Sequence, residues 1–181
     1  MELEGRIRKR LDSLTKPVGS LGRLEDVVLQ VGLIQRTDMP SVGRKAMLLF
    51  CADHGVVEEG VSPFPQEVTR QMVANFWAGG AAITVLCRQY GIEPVVVDMG
   101  VGKPTRNFTR EPAMSRGEAQ RAVEIGIAHA ADGDLLGAGE MGIGNSTAAA
   151  ALLCAFTGAD PHEAAGRGTG LDDAGLARKR T

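Results

Sequence analysis

Three short apolar runs, each closing on glycine and a carboxylate, set the architecture this chain can adopt. Residues 46–52 are apolar without a break and end in Asp53-His54-Gly55. Residues 94–99 follow the same plan and carry Asp98 ahead of Gly100. The third run, residues 134–138, leads into Gly139-Glu140-Met141-Gly142. Short continuous apolar stretches of this kind are the mark of parallel strands covered on both faces. Helical patterns separate them, so strand and helix alternate three times. The expectation is an α/β fold: a parallel Rossmann-like sheet flanked by helices and joined by right-handed crossovers.

The helical stretches have legible limits. Leu3, Ile7, Leu11 and Leu14 share one helical face that Lys16-Pro17 ends, and a second helix over residues 23–35 turns Leu24, Val27, Val28, Val31 and Ile34 to one side. Both precede the sheet, so residues 1–38 are expected to form an N-terminal helical layer, with residues 39–181 as the α/β domain. Pro63 and Pro65 open a helix carrying Val68, Met72 and Phe76. Gly79-Gly80 interrupts it, and a further stretch stops at Gly91. Ser115 and Glu118 spell a capping box for a helix reaching residue 131, and Asp160 and Glu163 spell a second. An Ala/Leu-rich helix runs to Gly158, and an Asp-capped helix covers 173–180. Three strands are few for so many helices, and the last helix has no glycine or proline stop. The domain is therefore expected to be truncated at its C-terminal side.

Composition narrows the function. The 181 residues are 44% hydrophobic but only 4% aromatic, and the formal net charge is −2. That balance offers no footprint for nucleic acid. Cys51, Cys87 and Cys154 are an odd number, far apart, each in an apolar run; they read as buried thiols rather than disulfides or a zinc site. No signal-peptide core or membrane-length apolar run occurs. A soluble cytoplasmic protein without membrane association is expected.

In open α/β sheets ligands bind beyond the carboxyl ends of the strands. The acids there could cap helices and the glycines ease turns, but three such ends on one edge favour a site. The richest is Gly142-Ile143-Gly144-Asn145-Ser146-Thr147, which opens a helix. Unpaired N–H groups and the positive end of the helix dipole suit a phosphate there. No lysine follows as in a nucleoside-triphosphate loop. Gly137, Gly139 and Gly142 formally make a dinucleotide fingerprint, but at the third strand and with Glu140 inside it. The cluster 166–170, with Arg167 and Lys179 nearby, either completes an anion site or is a plain loop. His129 and His162 sit in helices; His54, beside Asp53, can serve as an acid–base group or hydrogen-bond donor. Metal-ligand spacing is lacking, and neither Ser62 nor Ser146 has a hydrolase nucleophile's setting. The stiff, aromatic-bearing segment 61–66 packs as core or walls a pocket for a flat apolar ligand. The residues alone thus lead to an α/β protein binding a phosphorylated small molecule beside a carboxylate.

Several segments together resemble one family. They are Leu14-Thr15-Lys16-Pro17-Val18-Gly19-Ser20-Leu21-Gly22-Arg23-Leu24-Glu25; Ala52-Asp53-His54-Gly55-Val56 with Gly60-Val61-Ser62; Pro65-Gln66-Glu67-Val68-Thr69 leading to Asn75-Phe76 and Gly79-Gly80-Ala81-Ala82; residues 139–147; and residues 166–179. In this order they are similar to the N-terminal part of nicotinate-nucleotide–dimethylbenzimidazole phosphoribosyltransferases.

The resemblance implies transfer of phosphoribose from nicotinate mononucleotide to 5,6-dimethylbenzimidazole in cobalamin lower-ligand synthesis, giving α-ribazole 5′-phosphate and nicotinate. It implies no cofactor and no metal, and a homodimer at full family length. By the same resemblance Gly142, Gly144, Asn145 and Ser146 hold the 5′-phosphate, and Gly168 and Lys179 complete the nucleotide site. Glu140 faces the ribose or the nearby ring as a supporting catalytic group, and Ser62, Phe64 and Gln71 line the benzimidazole pocket. Asp53, His54 and Asp98 are further candidates. Between Val101 and Thr105 the chain is shorter than the family pattern, and the family's general base is expected beyond Thr181. A dinucleotide-binding oxidoreductase fragment and a non-catalytic ligand-binding remnant are the competing readings.

Overall fold

The computed structural model describes residues 2–130 and 133–180, which form two compact units, Met1–Gly43 and Arg44–Thr181. The first unit is a pair of helices, α1 (Leu3–Ser13) and α2 (Arg23–Gln35), joined by the loop at Pro17. Ile7 and Leu11 of α1 bury against Leu29 of α2, with Leu3 and Val28 packed around them. Of the apolar face expected for α2, Leu24, Val27 and Ile34 are exposed, at 63%, 52% and 80%. The mostly buried pair Lys16–Glu25, 2.8 Å apart, closes the loop between the helices.

The second unit is built on a sheet of β1 (Lys45–Cys51), β2 (Glu93–Asp98) and β3 (Leu135–Met141). All pairings are parallel and the order is β2-β1-β3, so the first strand is the central one. The continuous run that marks β1 in the sequence fits that place, since a central strand is covered on both faces. Met47, Leu49 and Cys51 alternate onto one face. There Leu49 and Cys51 meet Val73 and Phe76 of α3 (Glu67–Ala78) and Ala81 ahead of α4 (Ala82–Tyr90). Met47, Val96 and Met141 complete this core.

β3 is longer than the sequence pattern suggests. It runs through Glu140 to Met141 instead of stopping at residue 138, because Gly137 and Gly139 serve the sheet rather than a loop. A Cβ on Gly137 would lie 2.5 Å from Met47 Cε, and one on Gly139 2.9 Å from Leu49 Cδ2. These glycines let the long side chains of β1 lie across the neighbouring strand.

The expected capping box is present on α5 (Arg116–Ala130): Ser115 N–H donates to Glu118 Oε2 at 2.6 Å and Glu118 N–H to Ser115 Oγ at 3.3 Å. Residue 131, the expected end of that helix, lies outside the described residues. α6 (Asn145–Thr157) matches expectation. At α7 (Pro161–Ala164) the second box is only half made. Asp160 Oδ1 accepts from His162 N–H at 2.8 Å, and the helix has four residues. α8 (Asp173–Arg180) also matches, entered through Asp172, whose Oδ1 accepts from Gly175 N–H at 2.7 Å. Cys51 and Cys87 are buried as expected, whereas Cys154 is only partly so. No helix among the described residues is long and apolar enough to cross a membrane.

Candidate active site

Strand order locates the crevice. From β1 the chain crosses one way to β2; β3 lies on the other side of β1, so the loops after β1 and β3 separate above the sheet. Such a reversal of direction opens a binding crevice at the carboxyl ends of the strands. A cavity of about 310 Å³ lies there, lined by Val61 and Ser62 after β1, Glu140 to Ser146 from β3 into α6, and Gly168 and Thr169. Seven of the residues singled out in the sequence thus face one space: Ser62, Glu140, Gly142, Gly144, Asn145, Ser146 and Gly168.

The turn from β3 into α6 depends on two glycines. A Cβ on Gly142 would come within 2.2 Å of the Ala52 carbonyl oxygen, so no larger residue fits. Gly144 has φ of 97°, a left-handed conformation that L side chains avoid. Asn145 N–H turns back to the Gly142 carbonyl at 3.0 Å. Ile143 N–H is taken by Thr69 Oγ1 at 3.1 Å, and Thr69 is wholly buried on α3. Outside the regular elements, no hydrogen bond to a described residue occupies the N–H groups of Gly142, Gly144 or Ser146. Donors at a helix N-terminus thus line the cavity.

A buried cation stands beside them. Lys179 of α8 is 9% exposed, and its Nζ donates to Ser146 Oγ at 2.9 Å and to the Gly166 carbonyl at 3.1 Å. Both partners are neutral, and burial pulls its ammonium pKa below the ordinary lysine value. Gly168 (φ 55°) lies where a Cβ would be 2.9 Å from Ser146 Oγ and 3.3 Å from Nζ. An ammonium in low dielectric without a counter-charge is costly, and an incoming anion would relieve that cost. Arg167, by contrast, is spent locally: it pairs with Asp173 and donates to the Leu171 carbonyl.

The three strand-end carboxylates differ in role. Asp98 Oδ1 accepts from the N–H groups of Gly100 and Val101, both at 2.8 Å, and these bonds hold its pKa below the usual range. Asp53 is 6% exposed; its Oδ2 accepts from Gly102 N–H at 2.6 Å, tying the loop after β1 to the loop after β2. Only Glu140 opens on the cavity, exposed and in no ion pair with a described residue. Register places Asp98 beside Cys51 and Glu140 beside Phe50, and the Cys51 thiol pKa is pushed up to about 11, first by burial and then by those two charges.

His54 Nε2 is hydrogen-bonded to Asn145 Oδ1, linking the loop after β1 to α6. Ser62 Oγ and Thr169 Oγ1 are 2.8 Å apart across the cavity mouth, and Phe64 N–H donates to Ser62 Oγ at 3.2 Å. Phe64 is 49% exposed, and neither it nor the exposed Gln71 lines this cavity. The sequence reading gives Thr69 and Thr169 no role of their own. A hydroxyl within the apolar stripe of α3 is the available signal for the first; for the second there is none beyond its place between glycines.

A family model described as phosphoribosyltransferase, DBI_PRT, matches residues 1–181. The nicotinate-nucleotide–dimethylbenzimidazole phosphoribosyltransferase of Ralstonia nicotianae is 48% identical over 199 residues, which cover 98% of this chain and 56% of that protein. The enzyme of the same name from Cupriavidus taiwanensis is 50% identical over 194 residues, covering 96% and 56%. Among solved structures, CobT from Thermus thermophilus superposes with a TM-score of 0.90 at 44% identity, covering 99% of this chain and 60% of its own. This chain therefore spans little more than half the length of the relatives it matches.

Proposed function

The chain belongs to the phosphoribosyltransferase family, and from that premise we propose that its cleft between β1 and β3 binds nicotinate mononucleotide for transfer of the phosphoribosyl group to 5,6-dimethylbenzimidazole. The observation that carries this reading is the buried Lys179 ammonium, whose hydrogen-bond partners among the described residues are neutral oxygens, beside the N-terminus of α6. The 5′-phosphate would take the N–H groups of Gly142, Gly144 and Ser146, with Asn145 and Ser146 side chains around it and the lysine as counter-charge.

With the phosphate so placed, the ribose would extend along the cavity toward Glu140. A benzimidazole nitrogen attacks the anomeric carbon, the bond to the nicotinate nitrogen breaks, and the configuration inverts from β to α. Positive charge develops on the ribose as the pyridinium leaves, and the Glu140 carboxylate would stabilise it. Ser62, which lines the cavity, would wall the benzimidazole, with Phe64 and Gln71, which lie outside that lining, reaching it from beside. A general base must accept the benzimidazole proton, and the family resemblance places it beyond Thr181. Asp53 and Asp98 would shape the loops, residues 1–38 would act as the small helical layer and residues 39–181 as the nucleotide-binding domain. A cytoplasmic homodimer at full family length belongs to the same reading.

The oxidoreductase alternative fares worse. Two of its three fingerprint glycines, Gly137 and Gly139, lie inside β3 against Met47 and Leu49, not in a loop open to a pyrophosphate. Separate titrations of nicotinate mononucleotide, NAD and dimethylbenzimidazole, followed by calorimetry, test the proposal. Binding of the mononucleotide, weakened by competing inorganic phosphate, is expected. Binding of NAD without the mononucleotide would reverse the reading.

A further inference from the structure

We propose that His54 is a positioning residue that sets the Asn145 side-chain amide, so that Asn145 offers its NH₂ group to the bound phosphate. The inference rests on the anion-site reading of the cleft and adds a residue to it. A carbonyl oxygen can only accept, so the ring nitrogen facing Asn145 Oδ1 carries a proton and donates it. Once Oδ1 is committed to His54, the two Nδ2 protons of the same planar amide are directed away from the imidazole. Nδ2 makes no hydrogen bond to a described residue, and Asn145 lines the cavity with the unpaired N–H groups.

The surroundings fix the backbone that carries the imidazole. His54 follows Asp53, whose carboxylate is anchored to Gly102 N–H and whose carbonyl accepts from Thr105 N–H at 3.1 Å. A Cβ on Gly144 would lie 3.2 Å from His54 Cβ, so the left-handed glycine gives the histidine its room. The orientation of the amide is thereby inherited from the loop after β1, whereas the amide itself belongs to α6. Without His54 the amide can rotate, and half of its settings present an oxygen to the anion.

The test is a double-mutant cycle read with inorganic phosphate. His54→Ala is expected to weaken phosphate binding about two- to ten-fold, the range for one oriented hydrogen bond. In an Asn145→Ala background the same change should have no further effect, because His54 acts through Asn145. His54→Gln, whose amide nitrogen reaches about as far as Nε2, should restore most of the affinity. The Asn145 side-chain ¹⁵N–¹H signals should shift in His54→Ala and return in His54→Gln, which a purely structural role would not produce. Equal losses in both backgrounds, with the unchanged chain still binding phosphate, would overturn the positioning role and leave the anion site standing. Failure of the unchanged chain to bind phosphate at all would overturn the anion site and this proposal with it.

Discussion

Lys179 Nζ lies 2.9 Å from Ser146 Oγ, so a cation carried by α8 is pressed against the first turn of α6. Replacing it with methionine removes the counter-charge while keeping most of the volume. Lys179→Met is expected to weaken phosphate binding roughly ten- to a hundred-fold, the range for a charge-assisted contact. The fold should hold or gain stability, since the ammonium is penalised by burial. Its folded pKa lies below the unfolded value of 10.5, so the penalty is full at low pH. It fades as pH rises through the folded pKa toward the unfolded one. Melting temperatures of both proteins, with and without phosphate, check this between neutral and alkaline pH; unchanged phosphate stabilisation in Lys179→Met would refute it.

Gly142→Ala should break the turn it sits in. The added methyl would meet the Ala52 carbonyl oxygen at 2.2 Å and Asn145 Oδ1 at 2.7 Å. The first neighbour is backbone of the loop after β1, which cannot swing aside as a flexible side chain would. A loss of about 1–3 kcal/mol is expected from such overpacking, together with loss of anion binding. Urea unfolding curves measure the first, and a variant as stable as the parent would count against it.

Glu140→Gln is expected to separate chemistry from stability. The carboxylate is exposed and unpaired with any described residue, so the unfolding free energy should change by less than about 0.5 kcal/mol. In an enzyme of full family length, formation of α-ribazole 5′-phosphate should fall while affinity for nicotinate mononucleotide holds. Unimpaired turnover there would remove Glu140 from the reaction.

Much of this can be read from the residues alone, for physical reasons that differ from place to place. The β1 run is legible because a strand covered on both faces needs apolar side chains at every position. The entry to α6 is legible because left-handed turns require glycine. The end of β3 is not, since glycines that make room for Met47 and Leu49 look, in one dimension, like loop glycines. The 3-10 turn at Gly55–Glu59 escapes because one turn is too short to show a period. Ties such as His54 to Asn145, 91 residues apart, exist only after the sheet has brought two loops together. No local pattern announces them.

The Ser115–Glu118 box should give α5 a pH-dependent start. Glu118 has its pKa lowered to about 2, first by the Ser115 N–H and hydroxyl and then by Arg106. A depressed carboxylate pKa contributes stability that is complete above the unfolded value of 4.5 and is lost as pH falls toward 2. Ser115→Ala should cost about 1 kcal/mol at neutral pH, as loss of a cap does. Circular dichroism melts from neutral to acid pH should show the parent and Glu118→Gln converging as the acid is protonated. A gap that persists unchanged at the lowest pH would exclude the mechanism.

The central position of β1 governs when this protein can fold during synthesis. β1 takes β2 as one neighbour and β3 as the other, and the N–H of Arg44, just before it, donates to Asp134 across 90 residues. The most apolar strand therefore leaves the ribosome long before its second partner exists. At about 5–20 residues per second, that interval lasts on the order of several seconds. Throughout it, one edge of β1 has open N–H and C=O groups able to join any strand that passes. β1 thus has both edges open to mispairing until β2 is made, and one edge open until β3 is complete. Slow translation through α5 would lengthen that interval, and a chaperone holding residues 45–51 would protect it.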